Sequence, residues 1–300
     1  MTRHLVFVHG RAQQGKNATR LKGEWLDALD EGLAASGLTL PISREDTHFP
    51  FYGDTLDQLT RGIPADRAAE VIVRGDADPA EEAFLSAVVE EMRTAYGVTD
   101  DAIREQLDAE TIERGPRNWE WVLATLRALD KHVPSASAPS IALFTKDVHQ
   151  YLTGSVVRRT IDGGVATAFP AGDEVVVVAH SLGTVVAYRL LTAQGKREGW
   201  QVPALVTLGS PHGVTAIRRV LAGEGVLRTP ECVGSWFNAY DPKDVVALRP
   251  LTPEWFPLKP AKPAVVNHGD IDNQHSSHHG IEGYLGDPRT ARAIYDALTG

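Results

Sequence analysis

The sequence predicts an α/β protein, a mostly parallel sheet flanked by helices. Short apolar, β-branched runs alternate along the chain with stretches whose apolar residues recur every three or four positions, the signatures of strand and helix. The run EVVVV at 174–178 is apolar at consecutive positions, as a strand buried on both faces must be. At 300 residues the chain is long enough to bury a substantial core without disulfides or metals, and it reads as a single domain over residues 1–300.

The elements follow in order. Residues 5–8 (LVFV) read as a buried strand ending at His9 and Gly10. Over 16–36, Leu21, Trp25, Leu29 and Leu33 form one stripe of an amphipathic helix, and Gly37 stops it. Residues 38–42 read as a second strand, with 48–53 as the loop after it. Asp78, Pro79 and Glu81 mark a helix start, a capping carboxylate before a proline in the first turn. Phe84, Val88, Met92 and Tyr96 continue that helix to Gly97. Another helix is expected over 119–132, a linker over 134–140, and a helix over 147–165 with Val148, Leu152, Val156 and Ile161 inward. Strands follow at 174–178, 204–208, 235–240 and 264–266, with helices at 183–193 and 288–298. Trp119, Trp121, Trp236 and Trp255 read as core, and Cys232 as a passive small hydrophobe.

Charge and cysteine usage narrow the function classes. Lys and Arg total 30 against 39 Asp and Glu, a formal charge of −9. That balance argues against nucleic acid as a partner and against a protein held by charge on an anionic membrane. The single cysteine cannot form an intrachain disulfide, so nothing calls for an oxidising compartment. No apolar run approaches the ~18–20 residues that span a bilayer. The first ten residues lack the apolar length and cleavage site of a signal peptide, so no integral membrane association and a cytoplasmic location are expected.

The most informative stretch is A-H-S-L-G at 179–183, where a strand runs into a helix through five residues with Ser181 in the middle. A serine hydroxyl is a poor nucleophile and must stand clear of the backbone to meet a base. A sharp turn holds it there, and only small flanking residues tolerate the strain. Gly183 supplies one small flank and Ala179 the other. In this context the segment resembles the nucleophile turn of the α/β-hydrolase family, in particular its lipase-like serine esterases. The resemblance covers about 4–53 and 145–300, not 55–140. It implies an eight-stranded or slightly reduced sheet, a Ser–His–acid triad and no cofactor.

The family's chain order is nucleophile, acid, histidine. After Ser181 the acid candidates are Asp241 and Asp244, and the histidine candidates His275, His278 and His279. Asp241 precedes Pro242 and suits a turn-shaping role. Asp244 lies in a stretch resembling that around the family's acid, and His279 precedes a Tyr-containing segment and the final helix as the family's histidine does. The favoured set is therefore Ser181, Asp244 and His279. Two backbone N–H donors should await the oxyanion. Leu182 supplies one, and Arg11, in a loop resembling the family's H-G-x, supplies the other; the Arg11 side chain, Gln13 and Gln14 are expected at the mouth. His212 is expected near the site in a simple turn.

Two other classes compete. The run at 267–279 is rich in His and Asp, but no H-E-x-x-H or Cys pair accompanies it, and a metal centre would leave the serine turn unexplained. A binding module on a hydrolase scaffold is the second, against which the complete Ser, Asp and His set argues. The expected substrate is a small-molecule or lipid carboxylic ester, with thioester cleavage chemically close.

A minimal chain from the strand at residue 5 to that at 175 needs on the order of 50–60 residues. The observed connection of about 165 residues has its surplus mainly in 55–140, where helical periodicity dominates. That segment is expected to form a helical cap over Ser181. The apolar faces of its helices, Phe84, Val88 and Met92 among them, suggest a hydrophobic acyl group.

Overall fold

The computed structural model describes residues 3–60, 78–115, 117–223, 225–274 and 277–300. His275 and part of the expected insertion lie outside them. Among the described residues the strands are β1 (Arg3–Val8), β2 (Thr47–His48), β3 (Glu174–His180), β4 (Leu205–Leu208), β5 (Trp236–Ala239) and β6 (Val265–His268). They form one all-parallel sheet in the order β2-β1-β3-β4-β5-β6.

The helices are α1 (Ala18–Ala34), α2 (Gly53–Thr60), α3 (Pro79–Ala95), α4 (Asp100–Arg104), α5 (Ala109–Arg114), α6 (Asn118–His132), α7 (Ala138–Thr153), α8 (Ser155–Ala166), α9 (Leu182–Leu190), α10 (Thr215–Ala222), α11 (Ile281–Leu285) and α12 (Pro288–Thr299). None is long and apolar enough to cross a membrane.

Strand alternation sorts the core into two layers. Val176 and Val178 of β3, with Leu5 and Phe7 of β1, pack on α1, α11 and α12. Val175 and Val177, with Val6 and Val8, face α7, α8 and α9. Each of these side chains is at most 1 % exposed, worth about 1.5–3 kcal/mol of transfer free energy apiece. Helices α3 and α6 extend the second layer outward, packing on each other and on α7.

The strand order places the site. From β1 the chain steps to β2 on one side and then crosses to β3 on the other. The loops after β1 and β3 therefore diverge, and the crevice between them at the strands' C-terminal ends is where open α/β sheets hold ligands.

Three details depart from the sequence reading. Residues 38–42 do not join the sheet. Leu38, Leu40 and Ile42 alternate half-buried against the α1 layer, which produces the strand-like pattern, but Pro41 lacks an N–H and Thr47–His48 pairs with β1 instead. The helix expected over 147–165 is two helices. A Cβ at Gly154 would lie 2.6 Å from the Gln150 carbonyl oxygen, and the chain turns there, leaving Val156 57 % exposed. The expected linker contains the first turn of α7, with Pro139 in its N-terminal turn. The sheet has six parallel strands among the described residues, a reduced form of the eight-stranded arrangement.

Candidate active site

Ser181 occupies the turn between β3 and α9 with φ +56° and ψ −130°, backbone space that non-glycine residues rarely enter. Its surroundings enforce this. The Ser181 N–H donates to the Leu208 carbonyl at 3.0 Å, and the Ser181 carbonyl accepts from the Thr184 N–H at 2.9 Å. Gly183 lets α9 start against β1, since a Cβ there would run into the carbonyl oxygens of Val8 and His9. Gly10, in the loop after β1, lies against the serine; its Cβ would sit 2.8 Å from Ser181 Cβ and 3.2 Å from Oγ.

Ser181 Oγ is 2.8 Å from His279 Nε2, and His279 Nδ1 is 2.6 Å from Asp244 Oδ2. A carboxylate only accepts, so Nδ1 carries the ring proton and Nε2 presents its lone pair to the hydroxyl. Asp244 is fully buried and has four donors: His279 Nδ1 and the Tyr284 hydroxyl (2.6 Å) on Oδ2, the Val246 (2.8 Å) and Ala247 (3.3 Å) N–H groups on Oδ1. A buried carboxylate so satisfied is fixed in place. Burial pushes the Tyr284 hydroxyl well above its ordinary pKa, so it remains a donor.

Asp241 turns elsewhere. Its Oδ1 accepts from the Lys243 N–H at 2.7 Å, shaping the turn. Its Oδ2 accepts from the Asn273 N–H at 2.9 Å and from His278 Nδ1 at 3.1 Å. His278 itself sits at φ +52°. The structure thus makes two neighbouring Asp–His pairs, and only the Asp244–His279 pair reaches Ser181. Among the described residues of the His/Asp-rich run, His268 pairs with Asp287 at 3.1 Å, Asp270 with Arg289 at 3.2 Å and Asp272 with Gln274 at 2.7 Å.

Beyond β1, the His9 ring is buried against Tyr52 and Phe49. Its Nε2 accepts from the Tyr52 N–H at 3.0 Å, so Nδ1 carries the proton and donates to the Gly10 carbonyl at 2.7 Å. Burial lowers its pKa to about 4, so the ring is neutral and braces the loop. Arg11 follows, its Nε donating to Asp147 of α7 at 2.8 Å. Burial raises the Asp147 pKa against the opposing pull of Arg11. Leu182 opens α9, where a first-turn N–H has no intrahelical acceptor.

A cavity of about 330 Å³ opens at Ser181 and His279. Ile141, Phe144, Val245 and Val246 give it an apolar wall, and Arg11, Gln13, Ser135 and Ser137 a polar rim. Gln14 is exposed and lies off it. Phe84, Val88 and Met92 do not face this cavity; they are buried between α3 and the second core layer. Their helical spacing reported core, not substrate contact.

Sequence reasoning missed Gly209, Tyr284 as a donor to Asp244, and Asp147. Gly209 has φ +56°, and a Cβ there would lie 3.0 Å from His279 Cε1 and 3.2 Å from Asp244 Oδ2. A glycine ending a strand, before Ser210 and Pro211, was the available signal. His212 lies in a 3₁₀ turn, fully buried. Trp236 is core, while Trp255 stacks under Arg249 at 4.4 Å. Cys232 is half-buried, its thiol pushed up to about 11 by burial, and so is unreactive. Neither the comparison with protein-family models nor that with curated protein sequences yields a match for this chain.

Proposed function

We propose that this protein is a serine hydrolase of α/β-hydrolase type that cleaves a carboxylic ester through an acyl-enzyme. The observation that carries the reading is the continuous chain from Ser181 Oγ through His279 to buried Asp244, hung on a strained serine at the mouth of a cavity. Nothing about packing requires a hydroxyl, an imidazole and a carboxylate in that register.

In this reading Ser181 Oγ attacks the ester carbonyl as its proton passes to His279 Nε2. Asp244 stabilises the resulting imidazolium and holds its tautomer. The carbonyl oxygen gains negative charge between the N–H groups of Leu182 and Arg11. His279 then gives its proton to the departing alcohol, leaving the acyl group on Oγ. Water, deprotonated by the same imidazole, attacks that acyl-enzyme and restores the serine. No step calls for a metal or cofactor.

The cavity volume is at the small end of the ~300–1,000 Å³ range of ligand sites. With the apolar wall of Ile141, Phe144, Val245 and Val246, it favours a short or medium apolar acyl group. The described residues of 55–140 act as the cap in this reading, supported by Ser135 and Ser137 at the rim. Ser135 also donates to the Lys243 carbonyl at 2.6 Å, tying the segment to the loop that carries Asp244.

The test is a profile against p-nitrophenyl esters of graded acyl length, with and without EDTA. Turnover should peak at short to medium chains and ignore the chelator. Ser181→Ala should lower kcat by several orders of magnitude, about 10⁴-fold or more, and abolish fluorophosphonate labelling. Undiminished activity in that variant rejects the mechanism.

A further inference from the structure

A second buried line of polar side chains runs from the backbone of the nucleophile. Thr184, Ser210 and His212 are each at most 2 % exposed. Thr184 Oγ1 donates to the Ser181 carbonyl at 2.7 Å, Ser210 Oγ lies 3.1 Å from Thr184 Oγ1, and His212 Nδ1 lies 2.6 Å from Ser210 Oγ. We propose that Thr184, Ser210 and His212 form a positioning relay that fixes the Ser181–Leu182 peptide and so aims the Leu182 N–H at the oxyanion.

The direction of every proton in the relay follows from its end. A carbonyl can only accept, so the Thr184 hydroxyl proton is committed to Ser181. Ser210 must then donate to Thr184, and its own proton is spent. His212 must donate to Ser210, so its proton is on Nδ1 and Nε2 is bare. Nε2 has no hydrogen-bond partner and is enclosed by Phe256 and Tyr188, with ring centroids 5.1 and 5.2 Å away. A proton there would have no acceptor, in keeping with the burial that lowers this imidazole to about 3. The ring is thus a neutral donor of fixed tautomer, and the relay has one direction only.

The consequence reaches the reaction through peptide geometry. In a trans peptide the C=O and the following N–H point oppositely. The Ser181 carbonyl takes two donors from the α9 side, the Thr184 N–H and hydroxyl. Holding it therefore holds the Leu182 N–H on the other side of the same plane. The peptide belongs to a residue at φ +56°, which would otherwise relax. Thr184, Ser210 and His212 touch no substrate in this scheme; they act through the peptide. The inference rests on the hydrolase reading above.

The experiment compares the wild type with Thr184→Val, Thr184→Ser and Ser210→Ala. It measures kinetics on a short-chain p-nitrophenyl ester, inhibition by an alkyl boronic acid whose tetrahedral adduct needs the oxyanion donors, and thermal melting. Thr184→Val keeps the side-chain shape and removes the hydroxyl. It should lower kcat about tenfold with KM within twofold, and raise the boronic acid Ki by a similar factor. Thr184→Ser should recover most of both. Ser210→Ala leaves the last bond without its donor and should lower kcat about threefold. Unchanged kcat and Ki in Thr184→Val, or a Thr184→Ser variant as deficient as Thr184→Val, overturns the relay. If Thr184→Val fails to fold, an unchanged kcat in Ser210→Ala does so. A wild-type protein inert to both esters and fluorophosphonate overturns the hydrolase reading, and the relay with it. A wild type that turns over normally beside an unaffected Thr184→Val overturns the relay alone.

Discussion

At the scale of single residues, two aspartates three positions apart in one loop have divided the work. Asp241 accepts from backbone N–H groups and His278, and Asp244 accepts from His279 and Tyr284. Their substitutions should therefore separate. Asp244→Asn presents an amide that can donate to Nδ1 and so favours the wrong imidazole tautomer. We expect kcat to fall by about 10³–10⁴-fold with little change in KM. Asp241→Asn should reduce the melting temperature and cost kcat no more than about tenfold, because it loosens the loop before His279 without touching the ring that meets Ser181. Steady-state kinetics beside thermal melts check both. The reverse ranking would move the acid role to Asp241 and leave the serine mechanism standing.

At the scale of elements, glycines show where backbone and site compete for space. The turn after β4 brings Gly209 under the His279 ring at a φ that disfavours side chains. Gly209→Ala should displace the ring from Ser181 and lower kcat at least tenfold, out of proportion to the loss of stability. Gly163 is the contrast. It is exposed inside α8, and a Cβ there meets nothing within 4 Å. Gly163→Ala should raise stability by about 0.5–1 kcal/mol by restricting the unfolded chain, and leave kcat alone. Urea denaturation and kinetics on the two variants give the comparison. Equal effects on kcat would mean that the Gly209 turn does not set the position of His279.

At the scale of the whole molecule, buried neutral histidines couple the fold to pH. Burial lowers His9 to about 4 and His212 to about 3, and shifts His48 and His149 in the same direction. The unfolded chain protonates these rings near 6.5 and the folded chain only at lower pH. The unfolded state therefore binds more protons between about pH 6.5 and pH 4, and stability falls as pH drops through that window. His9 and His212 should each contribute of order 2 kcal/mol of loss by pH 5. Urea midpoints at pH 7 and pH 5 measure it, and His212→Phe should flatten the dependence. An unchanged pH dependence in His212→Phe would show that the His212 ring titrates alike in the folded and unfolded states.

The parallel α/β character, the strand-to-helix turn at Ser181 and the order of candidate partners after it were legible in the sequence. They depend on local spacing: valines at consecutive positions, small residues flanking a serine, a capping Asp before Pro79. The α3 start shows the same, with Asp78 capping Ala80 N–H at 3.0 Å. The rest depended on neighbours distant along the chain. Residues 38–42 carry the alternation of a strand, but which segment pairs with β1 was decided by where Pro41 and Thr47 fall once α1 has packed. The apolar stripe of Phe84, Val88 and Met92 looks the same whether it faces core or substrate, and only the packing of α3 on α6 and α7 assigned it. Asp241 and Asp244 are chemically equivalent on paper. Which one meets His279 depends on how two loops are placed, and for Asp244 that placement is held by Tyr284 and the backbone N–H groups of Val246 and Ala247. Local pattern fixes an element because its cause lies within a few residues. A hydrogen bond spanning 98 positions, such as His279 to Ser181, exists only after the sheet has brought its two ends together.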